Sequence, residues 1–255
     1  MVGEGRADTH TDRVAVVTGA ARGIGQAICT GLAEHGATVI GVDLLDQTVT
    51  GKLVEDAGAT WAAITADVTD EAAVADLAAR VQQRFGRCDV LVNNAGIADG
   101  GTWDDLDYAM WRRVITVNLD SQFLMAKALV PLMQAHSYGR ILNITSTTVV
   151  GQIDNFVAYR ASKMGVIGLT RALASLGDRG ITANAISPSL TPTDMTTESG
   201  VPAEVFDGFV AGQSIKRIAT TADIVPTVLF LTSEASYWVT GQSFAADGGA
   251  SFCLP

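Results

Sequence analysis

The sequence predicts one α/β domain with a doubly wound, mostly parallel sheet of seven strands that is flanked by helices. Seven short runs rich in β-branched residues are nearly apolar throughout, which is typical of strands covered by helices on both faces. Segments of helical periodicity fill the gaps, and strands that alternate with helices indicate a doubly wound fold. The length of 255 residues fits one large domain, and 48% of the residues are apolar, enough for a buried core.

The predicted elements follow one another regularly along the chain. Strands are predicted at residues 14–18, 38–43, 61–66, 90–93, 140–146, 182–187 and 243–246. Helices are predicted at residues 24–35, 71–85, 108–134, 156–176 and 221–231. Residues 1–12 are polar and predict a flexible tail before a domain of residues 13–255. Residues 191–217 break the rhythm, and because a long connection inside a compact domain is usually functional, we expect a substrate lid there.

The composition argues against several classes of function. Lys and Arg number 17 and Asp and Glu 27, a net charge of −10 without a basic run, so we expect neither nucleic acid nor a membrane as partner. Cys29, Cys88 and Cys253 are scattered without metal-ligand spacing, so we expect no metal and a reducing compartment. No apolar run predicts a signal peptide or a membrane span, and the expected location is the cytoplasm.

A glycine-rich turn follows the first predicted strand. Gly19, Gly23 and Gly25 have the spacing G-x3-G-x-G, and a helical pattern begins at Ile24. Glycines let the backbone turn sharply and let a pyrophosphate approach, while the N-terminus of the following helix attracts phosphate. Glycines also serve close packing, but the position after the first strand favours a cofactor. We therefore expect a dinucleotide to contact Gly19, Arg22, Gly23, Ile24 and Gly25.

Asp43 ends the second predicted strand, 18 positions after Gly25. A carboxylate there can accept hydrogen bonds from both hydroxyls of the adenosine ribose, and it repels the 2′-phosphate of NADP. Leu44 and Leu45 follow, so no arginine stands there to hold that phosphate. Arg22 is the counter-argument, because a basic residue in the glycine turn could reach a 2′-phosphate, and Asp43 could instead serve a helix cap or a turn. We expect NAD as the cofactor and NADP as the less suitable one.

Two further strand ends supply candidate cofactor contacts. Asp67 and Val68 close the third predicted strand, where an aspartate can meet the amino group of adenine or, alternatively, cap the next helix. Asn94, Ala95 and Gly96 close the fourth strand, where small residues let the dinucleotide lie on the backbone. The carboxyl ends of parallel strands converge on one crevice, so we expect these residues to lie together.

Tyr159 and Lys163 stand four positions apart in a predicted helix, which places both on one face. A cation beside a phenol favours the phenolate, and a phenol with a lowered pKa can exchange a proton with an alcohol or carbonyl near neutral pH. Ser146 ends the fifth predicted strand, on the side where the cofactor is expected. Alternatively, Tyr159 and Lys163 could belong to an ordinary solvent-exposed helix face. Ser146 could instead hydrogen-bond with backbone groups at the end of its strand.

Together these motifs resemble the classical short-chain dehydrogenase/reductase family, which has the Rossmann fold. The resemblance covers about residues 12–251 and rests on Thr18-Gly19-x3-Gly23-Ile24-Gly25, Asn93-Asn94-Ala95-Gly96, Asn118, Ser146 and Tyr159-x3-Lys163, with the usual 13 positions from Ser to Tyr. It implies that Tyr159 is the general acid/base, and that Lys163 lowers its pKa and binds the nicotinamide ribose. It also implies that Ser146 orients and polarises the substrate oxygen. Asn118 would support a water chain from Lys163 to solvent, or bridge a helix kink.

The segment after the sixth predicted strand departs from the family pattern. The family usually has Pro-Gly there, and this chain has Pro188-Ser189-Leu190. The loop can still pass over the nicotinamide, and the resemblance implies cofactor contacts from Pro188 and Leu190. Thr191 would offer its backbone N–H to the carboxamide, and Thr193 its hydroxyl.

The expected substrate is a small molecule, a hydrophobic secondary alcohol or ketone. Parts of the chain resemble family members that act on aryl secondary alcohols, such as 1-phenylethanol dehydrogenase, and less closely pyridoxal 4-dehydrogenase. An apolar set around one Tyr and Ser pair suits such a compound. The candidate pocket residues are Ile97, Thr148, Ile153, Tyr159, Leu190, Met195, Phe206 and Phe209, of which the two Phe could instead serve lid packing. The family also implies a homotetramer, because it buries its two long helices between subunits.

Two other functions stay open on the sequence alone. A 3-oxoacyl-(acyl-carrier-protein) reductase uses the same four residues, but it usually prefers the phosphorylated cofactor and a basic docking patch. Asp43 and the net charge of −10 disfavour both. A dinucleotide-sensing regulator on the same fold is a non-enzyme alternative, but such proteins often lose the Tyr or the Lys. The sequence therefore favours an NAD-dependent alcohol dehydrogenase or ketoreductase.

Overall fold

The structure is a computed structural model that describes residues 9–99, 101–150, 155–198 and 201–251. Its strands are β1 (Val14–Thr18), β2 (Thr38–Asp43), β3 (Trp61–Thr65), β4 (Val90–Asn93), β5 (Gly139–Ile144), β6 (Ile181–Pro188) and β7 (Ser243–Ala246). Its α-helices are α1 (Gly23–Glu34), α2 (Thr48–Asp56), α3 (Glu71–Phe85), α4 (Tyr108–Ile115), α5 (Ser121–Ala135), α6 (Val157–Leu173), α7 (Asp194–Glu198), α8 (Ala203–Gly212) and α9 (Val225–Thr232). Residues 1–8 of the predicted tail, Ile153 and Cys253 lie outside the described residues.

The seven strands form one sheet in the order β3-β2-β1-β4-β5-β6-β7. All six neighbouring pairs are parallel. Two apolar clusters cover its faces: Val16 belongs to the cluster that contains α3 and α5, and Val17 to the cluster that contains α1 and α9. Because successive side chains of a strand point to opposite faces, such strands must be apolar throughout. The predicted doubly wound α/β fold is confirmed.

The helices differ from the sequence prediction in two respects. The sequence does not predict α2, because its first turns are built from threonine, valine and glycine, which are weak helix formers. The predicted helix 108–134 is interrupted by a π-helical turn, Thr116–Asp120, between α4 and α5. A π-helical turn inserts one residue into the helical repeat and often occurs at functional sites.

The order of the strands places a crevice between β1 and β4. After β3 the chain crosses to the other side of β1 and forms β4 there, so the connections on the two sides diverge above the carboxyl ends of β1 and β4. Ligands of doubly wound sheets bind in such a crevice. Gly19 and Asn94, the residues directly after these two strands, therefore stand at the expected binding edge.

The described part of the chain has neither a helix suited to a membrane nor a cluster suited to a metal ion. None of its helices combines the length and the apolar character needed to cross a membrane. In the same ranges, no three His, Cys, Asp or Glu residues gather as metal ligands would.

Candidate active site

A long cleft follows the carboxyl ends of the strands and consists of two adjoining cavities of about 580 and 270 Å³. The larger cavity is lined by the glycine turn and by the ends of β2, β3 and β4, and the smaller one by β5, α6 and the segment after β6. Residues that line both are Ile24, Asn94, Gly96, Thr193 and Met195. An extended molecule can therefore lie along the cleft with its two ends in different surroundings.

The glycine turn is shaped to bring backbone close to a ligand. Gly19 and Gly23 have φ angles of 66° and 59°, which favour glycine. A Cβ atom at Gly25 would lie 1.9 Å from the carbonyl oxygen of Gly19, so Gly25 lets α1 pack directly under the turn. Gly25 itself does not line the cleft. Arg22, at the start of α1, forms no side-chain cap, which leaves the first N–H groups of the helix for an anion such as pyrophosphate.

Thr18 and Asn94 join the ends of β1 and β4. The amide of Asn94 donates to the carbonyl oxygens of Thr18 and Gly19, at 3.0 and 3.1 Å. The hydroxyl of Thr18 accepts the backbone N–H groups of Asn94 and Ala95, both at 3.0 Å. These bonds hold the two strand ends in register, so the predicted contacts Asn94, Ala95 and Gly96 lie in the cleft as expected.

Asp43 lies beside the glycine turn and serves a turn as well. Its carboxylate accepts the backbone N–H groups of Ala21 at 2.9 Å and Leu45 at 3.0 Å. Asp43 is half-buried and lines the larger cavity. It can therefore close this turn and still face a ligand in the cavity. Its charge stands where the adenosine half of a dinucleotide is expected.

Asp67 and Val68 also line the larger cavity, as predicted. Asp67 accepts the N–H and the hydroxyl of Thr69, at 2.9 and 2.7 Å, and so closes a turn. The cap of α3 is Asp70, not Asp67. Arg113 lines the same cavity and was not predicted; its place one helical turn before Val117, which also lines this cavity, is the one signal that points to it.

Arg22 is held by acidic residues of the segment after β6. Its guanidinium donates to both carboxylate oxygens of Glu198, at 2.5 and 2.9 Å, and lies 3.7 Å from Asp194. The hydrogen bond with Glu198 raises the pKa of Arg22 and lowers that of Glu198. The guanidinium of Arg22 is thus already paired with acidic side chains of the segment after β6.

Ser146, Tyr159 and Lys163 meet in the smaller cavity. The Ser146 hydroxyl accepts the N–H and the hydroxyl of Thr148, at 3.2 and 3.0 Å, and lines the same cavity as the phenol of Tyr159. Lys163 Nζ lies 5.4 Å from the centre of the Tyr159 ring and donates to the carbonyl oxygen of Ile144 at 2.8 Å. The strand end and one helix face therefore bring together three of the four predicted catalytic side chains.

The pKa of Tyr159 departs from the sequence expectation. Burial raises the pKa of the Tyr159 phenol, the hydrogen bond with Ser146 opposes this, and the charge of Asp99 adds to it. Burial also lowers the pKa of Lys163 to about 8. Lys163 is not among the causes of this shift, so the expected lowering of the Tyr159 pKa by Lys163 is not found. Burial dominates instead, since a phenolate loses more in a poorly hydrated site than a phenol does.

Asn118, the fourth predicted residue, lies buried behind the cleft in the π-helical turn. Its amide accepts the N–H of Ile97 at 2.8 Å and donates to the carbonyl oxygen of Ile97 and the hydroxyl of Ser162, at 2.9 and 3.0 Å. Asn118 thus bridges the loop after β4 and α6, and the water chain stays a prediction. A Cβ atom at Gly96 would lie 3.2 Å from Asn118 Oδ1 and 3.5 Å from Lys163 Nζ, so glycine keeps this junction close.

The loop after β6 lines the smaller cavity with the predicted residues Pro188, Leu190, Thr191 and Thr193. Ser189, which replaces the glycine of the family pattern, is buried. Its side chain hydrogen-bonds with that of Gln213 at 3.1 Å. This contact accommodates the serine.

The predicted substrate residues are only partly placed at the smaller cavity. Thr148, Leu190, Met195 and Phe209 line it, whereas Ile97 lines the larger cavity and Phe206 is among the lining of neither. The phase of α8 explains the difference, because Val205 and Phe209 are four positions apart and share a face. Residues that the sequence prediction missed include Asn155, Phe156, Val201 and Val205.

Comparisons with known proteins agree with this geometry. A family model described as enoyl-(acyl carrier protein) reductase matches residues 19–251. The cis-4-hydroxycyclohexanecarboxylate dehydrogenase of Sinomonas cyclohexanicum is 40% identical over 248 residues, which cover 95% of this chain and 98% of that protein. The 3-oxoacyl-(acyl-carrier-protein) reductase FabG of Escherichia coli K12 is 34% identical over 240 residues, with 93% and 96% covered. A solved structure from Beutenbergia cavernae, with NADP bound at low occupancy, has a TM-score of 0.90 and 38% identity over 95% of this chain and 98% of that one.

The chain therefore belongs to the classical short-chain dehydrogenase/reductase family. Members of this family bind a nicotinamide cofactor, and the relatives are dehydrogenases and reductases that act on alcohols or ketones. The protein is an oxidoreductase of this class.

Proposed function

We propose that this protein is an NAD-dependent oxidoreductase that interconverts a hydrophobic secondary alcohol of aryl type and its ketone. The observation that carries the proposal is that Ser146, Tyr159 and Lys163 line one cavity, in which the Ser146 hydroxyl is near enough to the phenol of Tyr159 to oppose the rise of its pKa. Both hydroxyls stand on the wall of a cavity that Leu190, Met195 and Phe209 also line. Two hydroxyls that meet in such a cavity can bind one alcohol or carbonyl oxygen between them.

Tyr159 is the proposed general acid/base, and Ser146 orients the substrate oxygen. NAD, when bound, supplies the hydride acceptor, and an alcohol that loses a hydride must also lose a proton. The phenolate of Tyr159 would take that proton and become the phenol, and the phenol would return the proton to the ketone oxygen in the reverse direction. Its raised pKa keeps the phenol protonated at neutral pH, which suits ketone reduction. Oxidation needs the phenolate, and Lys163, with a pKa of about 8, would favour the phenolate while it is itself protonated.

Two features support NAD over NADP: the carboxylate of Asp43, and the ion pair between Arg22 and Glu198. A carboxylate at the end of β2 repels a 2′-phosphate and can accept ribose hydroxyls. The one guanidinium of the glycine turn already donates to both oxygens of Glu198, so a 2′-phosphate would have to displace that pair. NAD has no 2′-phosphate, so neither the charge of Asp43 nor the pair between Arg22 and Glu198 opposes its binding.

The lining of the smaller cavity supports an uncharged substrate. Among its described residues, Lys163 carries the one charged side chain, and Nζ of Lys163 is bonded to the carbonyl oxygen of Ile144. A carboxylate on the substrate would find no guanidinium there. The hydroxycyclohexanecarboxylate relatives support a ring-bearing alcohol by their names, and we infer that this chain takes such a ring without the carboxylate.

A 3-oxoacyl-(acyl-carrier-protein) reductase is the second candidate. The FabG relative, at 34% identity, favours it. The net charge of −10 disfavours it, because the acyl carrier protein is expected to dock on a basic patch. A dinucleotide-sensing regulator is disfavoured because Asn118, Ser146, Tyr159 and Lys163 are all present.

Residues 191–217 would cover the substrate, because α7 and α8 contribute Met195, Val205 and Phe209 to the smaller cavity. The protein would act in the cytoplasm as a homotetramer in which α4, α5 and α6 pair between subunits.

Turnover of a substrate panel by the purified protein tests the proposal. The panel contains uncharged aryl alcohols, the same rings with a carboxylate, and hydroxyacyl thioesters, each with NAD and with NADP. We expect NAD-dependent oxidation of the uncharged aryl alcohols, and a loss of about 100- to 10,000-fold in kcat for Tyr159→Phe with NAD binding retained. Preferred turnover of hydroxyacyl thioesters with NADP would favour the second candidate. Full activity of Tyr159→Phe would refute the acid/base assignment.

A further inference from the structure

Asp99 lies on the loop after β4, outside the set of residues to which the motifs point. Its carboxylate accepts the backbone N–H groups of Ala158 and Tyr159, at 3.0 and 3.4 Å. Both groups belong to the first turn of α6, where N–H groups have no partner within the helix. A side chain at the residue just before the helix usually accepts them. Here the acceptor comes from a position 59 residues away from Ala158.

Phe156, the residue just before α6, cannot provide this cap. Its side chain has no acceptor, and no side-chain cap bond forms there. Its φ of 60° lies in the left-handed region, which is uncommon for an aromatic residue. Its ring packs edge-on against the ring of Tyr159, with 6.1 Å between the centroids. Phe156 thus forms a wall of the smaller cavity, and the capping bonds are left to Asp99.

We propose that Asp99 is a positioning residue for Tyr159, which fixes the start of α6 from the cofactor side of the cleft and sets the charge around the phenol. The inference rests on the proposed function, in which Tyr159 transfers the proton. The loop that carries Asp99 begins at Asn94 and Gly96, which line both cavities. The carboxylate therefore connects the floor of the cleft directly to the helix turn that bears Tyr159.

The described groups that face Tyr159 come from three elements. Lys163 is on the same helix, and the neighbouring Arg160 directs its Nε to the carbonyl oxygen of Thr148 at 3.0 Å. Ser146, beyond β5, lines the cavity beside the phenol, and Asp99 supplies a negative charge from the loop after β4. That charge raises the pKa of Tyr159 in addition to burial, so its removal should lower the pKa.

Two substitutions separate the bond from the charge. Asp99→Asn removes the charge and keeps one oxygen for the shorter bond to Ala158, whereas Asp99→Ala removes both. Asp105→Asn is the matched control, because it removes a charge from the segment before α4 and its carboxylate accepts from Thr102. We expect the pH profile of alcohol oxidation to move to lower pH in both Asp99 variants. We expect kcat to fall about tenfold in Asp99→Ala alone, with KM for NAD unchanged, because the turn that bears Tyr159 is no longer held.

A second readout does not depend on a substrate. The ultraviolet absorbance of tyrosinate is titrated with NAD present, and Tyr159 is isolated by subtracting the same titration of each protein's Tyr159→Phe counterpart. We expect Tyr159 to ionise at lower pH in Asp99→Asn than in the native protein and in Asp105→Asn.

The outcomes distinguish this inference from the proposed function. If Tyr159 titrates earlier in Asp99→Asn but the native protein oxidises no alcohol, the link between Asp99 and Tyr159 holds and the proposed function fails. If the native enzyme is active and Tyr159→Phe is not, while both Asp99 variants match the native pH profile and kcat, the inference alone fails. Equal loss of NAD binding in both Asp99 variants would also overturn it, since Asp99 would then hold the loop and not Tyr159.

Discussion

Arg22 and Glu198 form a two-pronged ion pair across the mouth of the cleft, with N–O distances of 2.5 and 2.9 Å. Arg22 ends the glycine turn, and Glu198 closes α7 on the segment after β6. A planar guanidinium matches a carboxylate or a phosphate in the same way, so one such group excludes the other. The pair thus joins the glycine turn to the segment after β6, which also lines the smaller cavity.

Glu198→Gln should improve the use of NADP. The substitution removes the paired carboxylate of Glu198 and leaves the more distant Asp194, at 3.7 Å, so Arg22 can turn more easily to a 2′-phosphate. Because both side chains are exposed, the pair is worth little in water, and we expect kcat/KM for NADP to rise only about threefold to fivefold, with NAD unchanged. Glu204→Gln, on exposed α8, is the control. The gain should shrink at high salt, and no gain at low salt would show that Glu198 does not restrain Arg22.

Asp43→Asn should reduce the preference for NAD. The amide can keep the bond to the N–H of Ala21, but it loses the charge that binds ribose hydroxyls and repels phosphate. Hydrogen bonds to charged groups are worth about 1.5 to 3 kcal/mol, so the ratio of kcat/KM for NAD to that for NADP should fall by about 10- to 100-fold. Asp46→Asn, whose carboxylate bonds Thr48 instead, should leave the ratio unchanged. An unchanged ratio in Asp43→Asn would remove the main argument for NAD.

Lys163 should make the free energy of unfolding depend on pH. Its pKa is about 8 in the folded protein and 10.5 in an unfolded chain. Between these values the unfolded chain binds more protons, so the stability of the native protein rises with pH by up to about 1 kcal/mol per pH unit. Urea unfolding should show this rise relative to Lys163→Met, which carries no charge. Parallel stability curves for the two proteins between pH 8 and 10.5 would contradict the lowered pKa of Lys163.

Gly25→Ala should disrupt the glycine turn. The added Cβ would lie 1.9 Å from the carbonyl oxygen of Gly19, so the turn must move away from the cleft. We expect loss of cofactor binding and a destabilisation of about 3 kcal/mol, typical of overpacking. Gly168→Ala in α6 is the control, because nothing lies within 4 Å of the added atom. It should stabilise the protein by about 0.5 to 1 kcal/mol. Calorimetry measures both effects, and equal unfolding temperatures would contradict the packing argument.

The cofactor side of the cleft could be predicted because it depends on strand ends. Parallel strands bring their carboxyl ends to one edge whatever the surrounding packing, so the positions of Gly19, Asp43 and Asn94 follow from strand order. Thr18 belongs to the motif that carries the family resemblance, but its role was not predicted, because the sequence does not reveal that its hydroxyl holds the end of β4.

The substrate side could be predicted less well because it depends on helix phase and on distant contacts. Phe206 and Phe209 are equally apolar, and only the rotation of α8 decides that Val205 accompanies Phe209 at the cavity. The cap of α6 by Asp99 joins distant parts of the chain, whereas sequence patterns reveal caps made by neighbours. The pKa of Tyr159 was expected to be lowered from a four-residue spacing, but it follows burial, which spacing does not describe.

The π-helical turn Thr116–Asp120 changes which side of a helix faces inward. One extra residue rotates everything that follows by about 100°, so the amide of Asn118 turns to Ile97 and Ser162 while α5 still directs Met125 and Leu129 into the core. Deletion of one residue here would restore a regular α-helix. Either the amide of Asn118 would then turn away from its partners, or Met125 and Leu129 would turn away from the core. A perfectly regular helix would therefore serve this protein less well than the irregular one it has.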